Sequence, residues 1–387
     1  MDNNQKSVVL LMKSAITGEK YDLPEGVQFQ ELEELLISQN TYMMGCIGAM
    51  NCGYDGESPE LETVMNSYFL EEWNSVRQMQ AVEQLSGIFN QNGIDHMPVK
   101  GCLMKALYPK PELRPMGDAD ILIRVADYPR IKEIMLQLGY REGVESDHEY
   151  NWYGPDLHVE LHKRLVPSYH HDYFRYFGDG WSKANTCREH CWSMTPEDSF
   201  IYDFAHFAKH FRAGGVGIRY ATDLWVHLRS YPNMDRDYIR QEFEKLELAE
   251  FYDNMLSLIN AWFEDGPSNQ NVEFITDFMF NCSLWGSENK DAADAVKAAQ
   301  ENDLNIKQGK QLLLKHKLFP SRQNMDQGYP GWKKLPLPVA WVCRWFHILF
   351  VNGDKIQKQA DKTKNLTDET IRQRWEQMEA IGLKFSK

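Results

Sequence analysis

Val99–Val125 reads VKGCLMKALYPKPELRPMGDADILIRV, with Asp118 and Asp120 standing two residues apart directly before the apolar run Ile121-Leu122-Ile123. On a strand, residues two apart project from one face, so the two aspartates point together while Ala119 and Ile121 pack opposite. Adjacent carboxylates repel one another unless a cation lies between them, and hard oxygen ligands suit Mg²⁺ or Mn²⁺. The plain alternative is a solvated strand entrance. Upstream, a short apolar segment ends in Lys100-Gly101. Glycine lets a backbone approach a phosphate closely, amides at a helix start bind oxyanions, and Lys100 adds a positive charge.

A third carboxylate comes from LHVELHKRL, Leu157–Leu165. Strand alternation there puts His158, Glu160 and His162 on one face and Leu157, Val159 and Leu161 on the other. A two-cation site needs one carboxylate that bridges and others that clamp each ion. The two histidines also permit a zinc reading, although H-x-E-x-H differs from the helical H-E-x-x-H pattern. CREHC, Cys187–Cys191, has no second Cys/His pair at zinc spacing and reads as ordinary buried thiols.

The rest of the chain sets bounds. Its 387 residues, 43% of them hydrophobic, can bury a sizeable core. A net charge of −14 argues against an extended nucleic-acid surface, which needs clustered Lys and Arg, while leaving room for a small phosphate-bearing ligand in a local pocket. No secretory signal is evident at the N-terminus. The most apolar window, Leu337–Gly353, is short for a bilayer and is interrupted by Arg344 and His347, so it reads as an amphipathic core helix. Seven cysteines, an odd and scattered set, suit a reducing cytoplasm.

Helical spacing is expected over Phe29–Met50 and over Leu61–Phe89, with Asn92-Gly93 as a left-handed stop. Strands follow at Ile94–Val99 and Gly117–Val125. Asp127–Leu138 reads as a helix capped by Asp127, with Pro129 in its first turn and Gly139 at its end. Tyr140–Glu142, His148–Tyr153 and Asp156–Leu161 read as strands, the last two forming a hairpin through Gly154-Pro155. In TPEDSF, Thr195 starts a helix and Asp198 completes a capping-box pattern. Helices are then expected around Ala221–Leu228, Tyr238–Trp262, Ala292–Leu314, Val339–Val351 and Asp368–Ile381, with Gly214-Gly215 and Gly217 in a loop before Arg219. The expected domains are a helical region over 1–93, an α/β core over 94–190 and a helical region over 191–387.

The order strand–Gly–helix, Asp-x-Asp opening a strand, and an acidic residue on a later strand resembles the polymerase-β-type nucleotidyltransferase superfamily. More closely, VKG…YP…RPMGDADILI…LGY…HVELH resembles its uncharacterised bacterial branch. The likeness covers Ile94–Leu165 and continues into HFAKHFRAGGVGIRYATDLWVHL, His206–Leu228, which is similar to that branch's helical extension. It implies an α+β fold, with a small mixed-sheet core flanked by helices and a larger C-terminal helical region. Asp118, Asp120 and Glu160 would hold Mg²⁺ or Mn²⁺, Glu160 serving as third ligand or as base. Lys100, Gly101, Arg114, His162, His210, Arg219 and Asp223 would contact the nucleotide and its phosphates. The implied reaction moves a nucleoside monophosphate from a triphosphate to a hydroxyl of a small-molecule or protein acceptor and releases pyrophosphate. Cys102 stands where the superfamily carries the serine of a Gly-Ser turn. A nucleotide sensor or antitoxin-like partner is therefore a second reading, and an Asp-x-Asp glycosyltransferase a third.

Overall fold

The computed structural model describes residues 1–53, 59–168, 170–213, 216–282, 295, 298, 305–322, 324–325, 329–351 and 367–383. Four helices come first: α1 (Asn3–Thr17), α2 (Phe29–Ser38), α3 (Tyr42–Cys52) and α4 (Pro59–Gln91). The sheet region follows with β1 (His96–Val99), α5 (Gly101–Leu107), β2 (Ala119–Ile123), α6 (Tyr128–Gln137), β3 (Arg141–Glu145), β4 (Glu149–Tyr153), β5 (His158–His162), α7 (His171–Phe177), β6 (Asn185–Arg188) and β7 (Cys191–Ser193). Helices complete the chain: α8 (Pro196–Arg212), α9 (Arg219–Ser230), α10 (Arg236–Lys245), α11 (Ala249–Phe263), α12 (Gln270–Phe280), α13 (Ile306–Leu318), α14 (Leu337–Val351) and α15 (Asp368–Ala380). The fold is α+β, as the sequence implies.

All seven strands form one mixed sheet in the order β3-β4-β5-β2-β1-β7-β6. β1 and β2 are antiparallel, β2 and β5 parallel, and β4 and β5 an antiparallel hairpin through Gly154-Pro155. The centre of the sheet is β2, whose five residues are all buried. Ala119, Ile121 and Ile123 meet Val159 and Leu161 of β5, Leu85 and Phe89 of α4, and Ile131, Ile134 and Met135 of α6 in one apolar cluster. Each large aliphatic side chain buried there contributes about 1.5–3 kcal/mol. Strand alternation then forces the intervening residues, Asp120 among them, onto the other face of the sheet.

Several expected elements are cut differently. Phe29–Met50 is two helices, because Asn40 at φ 54 turns the chain between α2 and α3. Tyr238–Trp262 is likewise divided into α10 and α11 around Glu247 at φ 55. Asp127 gives α6 no side-chain cap. Thr195 Oγ1 does accept the Asp198 amide at 3.1 Å, but the Asp198 carboxylate takes Lys183 and Tyr238, each at 2.9 Å, instead of closing a capping box. β6 and β7 were not expected; they place Cys187 in the open and bury Cys191. On α4, Phe69 and Val76 are exposed although their spacing suggests a buried stripe. α14 buries Ala340 but exposes Val339, Val342 and Phe346, so it is more open than a core helix. Gly214-Gly215 and most of 292–304 lie outside the described residues.

Contacts divide the chain into two compact units, Met1–Phe207 with Gly217–Leu284, and Ala208–Val216 with Trp285–Lys387. The first holds the sheet and most of the helices. Within the second, Lys310 of α13 pairs with Asp368 of α15 at 3.4 Å, and Arg374 donates to the Phe211 carbonyl at 3.2 Å. Among the described residues no helix is long and apolar enough to cross a membrane.

α8 and α9 are joined where His227 Nε2 donates to the Pro196 carbonyl at 3.1 Å. Burial holds the His227 imidazole down at about 4. A folded-state value below the unfolded one of about 6.5 makes the neutral ring's contribution complete above that pH and lost as pH falls through the folded value. Urea unfolding of wild type and His227→Gln between pH 7.5 and 4 should therefore show the wild type losing about 3 kcal/mol relative to the variant. A constant difference between them across that window would contradict the assignment.

Candidate functional site

The face of β2 turned away from the core carries Asp120, which is 4% exposed. Its register partners are Val99 at the end of β1 and Glu160 on β5, so three central strands converge on one carboxylate. Asp118, half-buried, lies one residue before β2 on the same side. A carboxylate this deeply buried is costly unless paired. Lys100 Nζ donates to Asp120 Oδ1 at 2.6 Å, and His162 Nε2 contacts the same oxygen at 2.8 Å. Burial opposes the charge of Asp120, but the Lys100 ammonium and His162 hold its carboxyl well below the usual carboxylate range. Burial likewise opposes the charge on Lys100, and Asp120 keeps it protonated well above the usual lysine range.

The neighbouring groups complete an electrostatic set. Glu160, against its own burial, is lowered by the His162 hydrogen bond and by Lys100. His162 is wholly buried, and against that burial and Lys100 it is raised by Asp120 and Glu160. Asp118 is pushed up to about 6 by burial and by the carboxylates of Asp120 and Glu160. Lys100 and His158 pull the other way without offsetting it.

Local backbone geometry delivers Lys100. It occupies φ 50, ψ −120 in the turn from β1 into α5, a conformation that costs a non-glycine residue about 1–3 kcal/mol and persists only where the surroundings impose it. Gly101 follows, buried, where an added Cβ would lie 3.4 Å from Arg114 Nη1 and from Met116 Cγ.

Arg114 and Asp223 pair with one another in a neighbouring cluster. Arg114 Nε and Nη2 donate to Asp223 Oδ1 and Oδ2 at 2.8 and 3.2 Å, and Tyr108 donates to Oδ1 at 2.7 Å. Lys105, fully buried, donates to the Arg114 carbonyl at 2.8 Å, and burial lowers its ammonium to about 8. Arg219 donates to the Pro115 carbonyl at 3.1 Å. It is 9% exposed, its Nε has no partner, and among the described residues no carboxylate lies within ion-pair distance of it. His210, in the last turn of α8, belongs to the second compact unit.

The structure adds residues that sequence reasoning passed over. Glu149 lies opposite His162 in the β4–β5 register, and its Oε2 is 3.9 Å from His162 Nε2 and 3.1 Å from His148 Nε2. The Gly154-Pro155 hairpin held that signal, since its register places Glu149 beside His162. Tyr202 of α8 stands beside Lys100 and donates to the Leu165 carbonyl at 3.0 Å. Asp203, half-buried, is pushed up to about 7 by burial and by Asp223 and Asp120, against the pull of Arg114 and Lys100. Nothing in the spacing of α8 marks these two residues, because what distinguishes them lies on other elements.

Among the described residues, three groups have ligand atoms within 4.8 Å of one another: Asp118, His158 and Glu160; Asp120, Glu160 and His162; and His148, Glu149 and His162. Glu160 belongs to two of them. The carboxylate oxygens suit a divalent cation, and the Lys100 ammonium already occupies a cation's place on Asp120. Fold and site together define an α+β protein with a strand-borne group of carboxylates and imidazoles able to hold a metal ion.

The chain belongs to the family described as uncharacterised nucleotidyltransferase, whose model matches residues 55–264. No curated protein and no solved structure matches it. Membership points to nucleotidyl transfer and to a nucleoside triphosphate as substrate.

Arg114→Met should leave Asp223 buried without its guanidinium, at a cost of about 3–5 kcal/mol. Replacing both partners, as Arg114→Met/Asp223→Leu, should recover a substantial part of that loss in urea unfolding. Equal stability of the single variant and wild type would show that the pair does not hold this cluster together.

Proposed function

We propose that the protein is a metal-dependent nucleotidyltransferase of the polymerase-β type. It moves a nucleoside monophosphate from a triphosphate to a hydroxyl of a small-molecule or protein acceptor and releases pyrophosphate. The observation that carries this reading is that Glu160 of β5, in direct register with Asp120 of β2, shares one ligand group with Asp120 and another with Asp118. A divalent cation, Mg²⁺ or Mn²⁺, held by these three would neutralise charge on the reacting and leaving oxygens. Lys100 stands at the turn that would meet the phosphates, and Arg219, a buried guanidinium whose Nε has no partner among the described residues, supplies positive charge for the triphosphate tail. Glu160 serves as the third ligand or as the base that takes the proton of the attacking hydroxyl. The net charge of −14 makes a nucleic-acid acceptor the poorest fit, and seven free cysteines accord with a cytoplasmic setting.

A second reading is favoured by Cys102. Its side chain is buried, with Sγ 4.0 Å from the Asp120 carbonyl, so it offers the phosphates no hydroxyl. On that reading the protein binds a nucleotide without transferring it and acts as a sensor or an antitoxin-like partner.

Pyrophosphate release with each nucleoside triphosphate, a divalent ion and a panel of hydroxyl acceptors separates the two. Transfer should fall at least 100-fold in Asp120→Ala and in Glu160→Ala, about 3 kcal/mol of transition-state stabilisation. Calorimetric binding without release across the whole panel would favour the sensor. Absence of triphosphate binding by wild type, or binding indifferent to Asp118→Ala/Asp120→Ala, would sink both.

A further inference from the structure

Two imidazoles of β5 face the carboxylate group, and each is anchored from behind through its other ring nitrogen. For His158 the anchor is Asn151. The Asn151 amide nitrogen donates to the Val144 carbonyl at 3.0 Å, which leaves Oδ1 as the acceptor 2.9 Å from His158 Nε2. Nε2 therefore carries the proton and Nδ1 keeps the lone pair. The Tyr153 ring stacks on this imidazole at a centroid distance of 4.5 Å and fixes its plane.

For His162 the anchor is the Arg164 carbonyl, 3.4 Å from Nδ1. A carbonyl only accepts, so Nδ1 is the donor there. Nε2 is left facing Asp120 Oδ1 at 2.8 Å, Glu160 Oε2 at 3.6 Å and Glu149 Oε2 at 3.9 Å. A proton on Nε2 answers those oxygens in the protonated ring, and a divalent ion held by the same oxygens would take that proton's place. One ring nitrogen held by a backbone or amide oxygen, with the other directed at carboxylates, is the arrangement of metal-bound histidines.

These imidazoles change which ion suits the site. Magnesium favours oxygen ligands and retains its water, whereas imidazole nitrogen suits first-row transition ions. We propose that His158 through Nδ1, with Asp118 and Glu160, and His162 through Nε2, with Asp120 and Glu160, are metal ligands, and that the site takes Mn²⁺ in preference to Mg²⁺. The inference rests on the metal-dependent reading above and names the ion that reading leaves open.

The test uses the full-length protein, stripped of metal by chelator and dialysis. Mn²⁺ uptake is followed by the electron paramagnetic resonance signal of the free ion, with Mg²⁺ added in competition. Mn²⁺ should bind at least tenfold more tightly than Mg²⁺. The electron spin-echo envelope of the bound ion should carry the nitrogen modulation of a coordinated imidazole, a readout on wild type that does not depend on any variant folding. His158→Asn should weaken Mn²⁺ binding at least tenfold and leave Mg²⁺ binding within about threefold. Equal affinity for the two ions, or bound Mn²⁺ without nitrogen modulation, overturns the histidine assignment while leaving a carboxylate metal site in place. Failure of wild type to take up either ion overturns the metal-dependent reading as well.

Discussion

The site depends on the need to neutralise a carboxylate buried at the centre of a sheet. Asp120 faces away from the apolar cluster because its neighbours Ala119 and Ile121 face into it. It has water on almost no side, so its charge must be met by protein. β1 meets it through Lys100 at its end and β5 through His162, both on the same oxygen. Register accomplishes this: Val99 and Glu160 flank Asp120 on either side, and a slip of one residue in either pairing would carry the partner to the opposite face. Asp118, Glu160 and Glu149 add further negative charge that Lys100 and His162 do not balance. Burial first, and then the carboxylates of Asp120 and Glu160, raise the carboxyl of Asp118, and a dication beside these groups would relieve both repulsions.

The second cluster has the opposite sign and is joined to the first by covalent chain. The segment that carries Asp118 into β2 is tied at three points: the Arg114 guanidinium on Asp223, the Arg114 carbonyl on Lys105, and the Pro115 carbonyl on Arg219. Two of these ties come from α9 and one from α5. α9 is thus part of what fixes the approach to the carboxylates, although it lies nearly a hundred residues beyond them in sequence. The same ties keep Arg219 in place with positive charge unmatched by any carboxylate among the described residues. Negative surplus beside the strand ends and positive surplus along the tied segment suit a ligand that brings a dication to one and an anion to the other.

Strand periodicity made Asp118, Asp120 and Glu160 legible from sequence, because alternation alone sends them to one face and the apolar residues to the other. The Asn92-Gly93 stop and the Gly154-Pro155 hairpin were legible for the same local reason: glycine and proline limit what the backbone can do. Tyr202 and Asp203 were not, since their significance comes from Lys100, Arg114 and Asp223 on other elements. The breaks at Asn40 and Glu247 were hidden too. Both residues adopt positive φ, which asparagine tolerates and glutamate accepts only under tertiary constraint. Cys187 and Cys191 both read as buried thiols; Cys187 is exposed, and that difference follows from the β6–β7 pairing, which neither residue signals.

Lys100 shows how these requirements meet in one residue. A glycine would enter the turn from β1 into α5 without backbone strain, yet the chain places a long basic side chain at φ 50. Glycine there would strip one of two positive partners, Lys100 and His162, from a buried oxygen, at a cost of about 3–5 kcal/mol. A residue one position earlier would point to the other side of the strand, and one position later its Cβ would stand in van der Waals contact with Arg114 and Met116. The cost of about 1–3 kcal/mol for the strained backbone is smaller than the cost of the unpaired charge it prevents. The strain is therefore the less expensive way to keep a buried carboxylate ionised where a cation has to find it.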